Sequence, residues 1–351
     1  MAAAFALGGG AGAPISGRLI DRFGHRRVLL PLALAHAAGL GALVALGLAG
    51  APLGVLCAAA VAGGAAIPPI SAVLRPLWPG LLRAEPGLIP AAYALDSVLI
   101  ELVFVVGPLL TALATAVLSP VAAILVACAM VISGTIAFAA SEPSRAWQPE
   151  PHAPGRSRLG ALASPGVRTL VVATIPIGFC FGAMEVTLPA FSEDVASRAW
   201  AGVLIAVWSL GSAAGGLWFG ARERAGHLAH WYVRLAAILP LGYLPLAAAP
   251  SLAVMMVLCV VAGLAIAPLL AVANQLIGDV APAGALTEAY TWPITALVVG
   301  LALGNGVAGG LVEVAHWRVA FLAASAGAGA GALVAFARRR TLLPAGVAAA
   351  A

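Results

Sequence analysis

The chain has 351 residues, 62% of them hydrophobic and only 9% charged, with a mean hydropathy of +1.06. A water-soluble domain carries about 45–50% apolar and about 25% charged residues, so a soluble fold is excluded, and the same apolar richness excludes disorder. The net charge of +5 comes from arginines with no lysine, clustered between apolar runs, a pattern that fits the loops of a membrane protein and not nucleic-acid binding.

A spanning helix needs about 20 apolar residues. In chain order, that length predicts spans at roughly 1–16, 28–49, 53–74, 91–118, 121–140, 167–190, 200–221, 231–248, 251–273, 285–311 and 319–337. Only the first is short. Arginine-bearing loops alternate with tight turns such as Ala51-Pro52, Ser119-Pro120 and Pro250-Ser251, which predicts helical hairpins. One set of loops holds sixteen of the eighteen arginines, and the other holds only Arg198 and Arg318. The rich side is therefore expected to be cytoplasmic. With eleven spans the C-terminus lies inside and Met1 outside.

The stretch 141–166 is polar, Pro-rich and basic. It is expected to be a cytoplasmic linker between an N-terminal bundle of five spans (1–140) and a C-terminal bundle of six with a short basic tail (167–351). The halves echo each other across it. Ala66-Ile-Pro-Pro-Ile-Ser-Ala-Val73 parallels Ala265-Ile-Ala-Pro-Leu-Leu-Ala-Val272, Ala92-Tyr93 parallels Ala289-Tyr290, and Gly107-Pro108 parallels Gly304-Asn305. Matching sidedness makes this a parallel repeat, an arrangement found in transporters. The span at 167–190 has no partner in the first half.

Between the first two spans stands Gly17-Arg-Leu-Ile-Asp21-Arg22-Phe-Gly24-His25-Arg26-Arg27. It resembles the signature loop of the major facilitator superfamily, G-x-x-x-D-R-x-G-R/K-R/K, with His25 where many members have a first basic residue. Gly17 and Gly24 suit tight turns and close backbone approach. Asp21 can pair with an arginine or lie against the positive end of a helix. The resemblance implies that Asp21 contacts the start of the family's eleventh helix, here near Pro282–Leu286, and latches the cytoplasmic side. A purely topogenic basic loop is the alternative. The second-half copy places Arg224 at the Asp21 position and lacks the second glycine.

Val103-Phe-Val-Val-Gly107-Pro108-Leu-Leu-Thr111-Ala112 resembles the family's antiporter signature G-x-x-x-G-P-x-x-G-G, keeping only the Gly107-Pro108 bend. The fourth-helix signature R-x-x-Q-G fails, with Ala59 where its arginine would stand. The resemblance implies an all-α polytopic, two-bundle fold of about eleven spans, the family's twelve minus the first, and the chain is expected to be a shortened form of such a protein.

Carboxylates inside apolar helices are functional candidates by default. Glu101, near mid-span, Glu185, Asp96 and Glu288 are therefore candidate proton or substrate sites, and Asn305 a candidate cavity residue. His36 is expected to be a helix-packing donor. The cysteines form no CxxC pair and no histidine stands at metal spacing, so neither metal nor cofactor is expected, and no enzymatic activity. The expected function is alternating-access transport, in the form of proton-coupled efflux of drug-like or amphipathic compounds by a monomer in the cell membrane. Sugar or metabolite uptake, or a non-transporting scaffold, are the alternatives.

Overall fold

The computed structural model describes residues 1–149, 159–222 and 226–343, and among them it contains helices and no strand. In lipid every backbone N–H and C=O needs an internal partner, and a helix supplies it within its own segment. Eleven long helical segments follow in order: α1 (Ala2–Phe23), α2 (His25–Leu48), α3 (Leu53–Leu81), α4 (Ile89–Val117), α5 (Pro120–Ala140), α6 (Pro165–Val195), α7 (Trp200–Gly220), α8 (Leu228–Ala248), α9 (Leu252–Val280), α10 (Leu286–Val314) and α11 (Trp317–Ala337). Nine of them, all but α1 and α4, are long and apolar enough to cross a membrane among the described residues. The protein is a multi-pass membrane protein.

The turns expected from Pro and Ser are helix caps. Ser119 Oγ accepts from Ala122 N at the start of α5, and Ser251 Oγ accepts from Val254 N at the start of α9. His227 and His316 cap α8 and α11 in the same way through Nδ1. Each cap satisfies one of the free N–H groups of a first turn.

The repeat reappears as a structural feature. α3 is interrupted at residues 66–69 and α9 at residues 264–265, both at the echoed segments. In α3 the cause is Pro68-Pro69, since proline cannot donate to the helix ladder.

The first helix extends further than expected. α1 runs unbroken to Phe23, so Gly17, Arg18, Asp21 and Arg22 are helical rather than parts of a loop. The turn into α2 is made by Gly24 alone, at φ +88°, with its N–H bonded to Ile20 O at 2.8 Å. An L side chain is strained in that conformation.

The described residues group into two compact units. One comprises Met1–Arg83, Val106–Ser164 and Ala281–Thr295; the other comprises Ala84–Val105, Pro165–Val280 and Ala296–Ala351. In the first unit α1 packs on α3 through glycines: a Cβ at Gly8 or Gly12 would overlap the backbone of Val61 or Ala65. His36 Nδ1 meets Gly63 O at 2.7 Å, the packing role expected of it. In the second unit α6 and α10 form a similar seam, where a Cβ at Gly178, Gly182, Gly300 or Gly304 would meet the partner helix's backbone. Small residues at such seams let helices approach closely without a hydrophobic drive.

Candidate functional site

Gly10, Gly17, Arg18 and Asp21 recur at helical spacing and so share one face of α1. Within the same unit this face meets the first turns of α10, at Thr287, Glu288, Thr291 and Thr295. Gly17 permits the approach, because a Cβ there would stand 2.8 Å from Glu288 Cα and from Thr291 Oγ1. Further along, Thr295 Oγ1 donates to Gly10 O.

Asp21 is 3% exposed. Its Oδ1 accepts from Thr287 N at 3.0 Å and its Oδ2 from Glu288 N at 2.8 Å. These are second- and third-position amides of α10, which have no partner within their own helix. Asp21 thus caps a helix 266 residues away in sequence, placing negative charge at the positive end of its dipole. The contact lies just beyond the stretch Pro282–Leu286 expected from the sequence.

Glu288, a candidate intramembrane carboxylate, is fully buried and belongs to this same site. Its carboxylate accepts from Arg18 Nη2 at 2.7 Å and from Arg18 Nε at 3.2 Å, a two-point guanidinium clamp. Trp292 Nε1 lies 3.4 Å from Glu288 Oε1. The first turn of α10 is therefore held to α1 at two points, its amides by the Asp21 carboxylate and its Glu288 carboxylate by the Arg18 guanidinium.

The remaining basic residues of the motif are outside this contact. The Arg22 guanidinium sits 5.0 Å from the Phe23 ring centroid, and Arg26 and Arg27 are exposed. His25 is buried, stacks on Trp147 with centroids 4.2 Å apart, and meets Ser144 Oγ at 3.2 Å through Nδ1. It pins the start of the connecting segment, the short helix Glu142–Ala146, to the motif. Arg224, the second-half counterpart of Asp21, lies outside the described residues.

Two other candidates come together in the second unit. Glu185 on α6 and Asn305 on α10 are close enough to interact electrostatically, while the Asn305 Oδ1 atom is buried without a partner. The seam glycines Gly182 and Gly304 flank the pair. Asp96 is buried. Glu101 lies in α4, but its side chain is outside the described residues, as is that of Pro108. Gly107 faces open space, and Thr111 Oγ1 donates to its carbonyl at 2.9 Å. Among the described residues no group of three His, Cys, Asp or Glu side chains could hold a metal ion.

Sequence reasoning missed Arg18, which was counted only as one more basic residue, and Gly160, whose neighbour is Glu288. The available signal for Arg18 was its register, three residues before Asp21 on the same helical face.

Residues 1–239 match the family model of the Major Facilitator Superfamily. No curated protein matches the chain. Among solved structures, the chain is similar to the human organic anion transporter MFSD10 (TETRAN), with a TM-score of 0.73 at 18% identity, covering 95% of this chain and 82% of that one. It is also similar to the E. coli fucose:proton symporter FucP, with a TM-score of 0.67 at 12% identity over 95% and 89% of the two chains. A structure of FucP in the outward conformation gives the same TM-score and identity over 95% and 88%. At these identities the likeness bears on the fold.

Proposed function

Because this chain belongs to the major facilitator superfamily, and so is a transporter of small solutes rather than an enzyme, we propose that it exports drug-like or amphipathic compounds in exchange for protons by alternating access. The observation that carries the alternating-access part is the Asp21 carboxylate on the Thr287 and Glu288 amides. A contact made of two hydrogen bonds and a helix dipole holds one state firmly, yet can be released in a single step. We read it as a latch on the arginine-rich side, taken to be cytoplasmic.

Proton coupling is assigned to the carboxylates that the spans carry. An ionisable group inside an apolar span is costly and marks a proton or substrate path by default. Glu101 and the Glu185–Asn305 pair are the leading candidates, with Asp96 behind them. Glu288 drops back as a proton carrier, since its carboxylate is already committed to Arg18. The Gly107-Pro108 pair, kept from the antiporter signature, supports export. The few charges in the spans favour an amphipathic cargo over a phosphate or dicarboxylate, because each charged group would demand a buried partner. Uptake of a sugar or metabolite is the second reading, and it is favoured by the fold shared with a fucose:proton symporter. The plasma membrane, a monomeric state and a cytoplasmic C-terminus complete the proposal.

The test is transport of a lipophilic fluorescent dye by the full chain in proteoliposomes, with and without an imposed pH gradient. Dye movement against its gradient, driven by inward protons, supports export. Accumulation of fucose or another sugar with the proton gradient would support uptake. Gradient-independent leakage equal to that of empty vesicles, for every solute tried, would overturn both.

A further inference from the structure

The carboxylate end of the Arg18–Glu288 pair is covered by a turn of the segment that joins the two sequence halves, while the Arg18 side chain stays 49% exposed. Gly160 opens the 3-10 turn Gly160–Ala163 with φ +55°, and a Cβ at this position would overlap both oxygens of the Glu288 carboxylate. The carboxylate therefore lies against the bare Cα of Gly160. The next residue, Ala161, is completely buried. The turn is closed by Leu162 N to Leu159 O at 3.1 Å and Ser164 N to Ala161 O at 3.2 Å. All of these groups lie within one compact unit.

We propose that this turn is a lid on the carboxylate end of the ion pair, and that Arg18, Glu288 and Gly160 form a second lock beside the Asp21 clasp. The lid leaves its seat when the pair breaks. Two effects tie lid and pair together. A seated lid keeps water from the carboxylate, and a charge pair is stronger where water is excluded. A buried carboxylate without its arginine is strongly unfavourable, so loss of the pair drives the carboxylate toward water and displaces the backbone lying on it. Arg18 and Asp21 stand less than one turn apart on α1, and their partners are consecutive or identical residues of α10. The two locks therefore engage and release together. The connecting segment is thereby a working part of the gate rather than a tether; this step rests on the alternating-access reading.

The experiment places a cysteine at Ala161 in a Cys57→Ser background and follows its reaction with a charged maleimide, on the full chain in detergent micelles. Labelling should be slow with the lock intact. Glu288→Gln and Arg18→Gln should speed it by about tenfold, the scale expected for loss of a charge-assisted hydrogen-bonded pair. Arg18→Lys, which keeps the charge but loses the fork, should give an intermediate rate. Gly160→Ala should speed labelling in the native background and add nothing in Glu288→Ala, where no carboxylate remains to be displaced. Backbone strain alone would act equally in both. Rates unchanged by Glu288→Gln, or an undiminished Gly160→Ala effect in Glu288→Ala, would overturn the lid. The gate reading fails separately, by normal transport in Asp21→Asn, and that result would leave the lid standing as a static seal.

Discussion

Asp21 and Gly24 belong to one sequence motif but answer to different physics. Asp21 works through its charge and two oxygens. Asp21→Asn can accept only one of the two amide hydrogens and turns a donor toward the other, leaving a buried N–H unmet at a cost of about 1–3 kcal/mol. Dye transport should fall while membrane insertion is unchanged, and cysteine labels on the arginine-rich side should react faster. Normal transport with unchanged labelling would reduce Asp21 to a topology signal. Gly24 works through its backbone. Gly24→Ala should lower stability by about 1–2 kcal/mol, read as a lower thermal midpoint in detergent, because φ +88° at this position is the whole turn between α1 and α2. Glu101→Gln tests proton loading directly. If Glu101 carries the coupling proton, gradient-driven movement should stop while counterflow exchange, which needs no net proton transfer, continues.

At the scale of helices, glycines that look alike in sequence divide sharply by what faces them. Gly304 on α10 abuts the Phe179 carbonyl and Ala183 N of α6, so Gly304→Ala should force the seam apart and cost about 1–3 kcal/mol, as overpacked contacts do. A Cβ added at Gly107 on α4 would meet nothing within 4 Å beyond its own helix backbone. Gly107→Ala should therefore be neutral or stabilising by up to about 1 kcal/mol, since alanine is the better helix former. Thermal midpoints of the two variants measured side by side would check the contrast, and equal losses at both positions would refute it. The Glu185–Asn305 contact sits in the same α6–α10 seam, so the seam sets the spacing of that pair as well as the packing.

For the whole molecule, the arginine asymmetry predicts a topology that can be measured without knowing the cargo. Single cysteines placed at Arg145 and Arg339 should label from the cytoplasm, and those at Arg198 and Arg318 from the opposite side. Labelling of Arg198 and Arg339 from the same side would contradict an odd number of crossings between them. The locks at Asp21 and Arg18 belong to this scale too, because residues 266 to 270 positions apart must meet before either exists.

The number and order of helices, their membrane setting and the family were legible in the sequence, because lipid imposes a length and a composition on every span and the motif at Gly17–Arg27 is local. The echoed segments at which α3 and α9 break were legible as a repeat, but the breaks themselves were not, since both spans were expected to run through. Asp21 as a residue of interest was legible because its motif is local. What the sequence could not supply was the set of partners. Nothing in the spacing of Glu288 distinguishes a proton carrier in a span from the buried half of an ion pair, and nothing around Gly160 in the chain announces that a carboxylate lies on its Cα. Those assignments depend on contacts between residues far apart in the chain, and such contacts are decided by packing. Only the tertiary structure, by bringing α1, the connecting turn and the first turn of α10 together, turned one charged candidate into a lock and an ordinary arginine into its key.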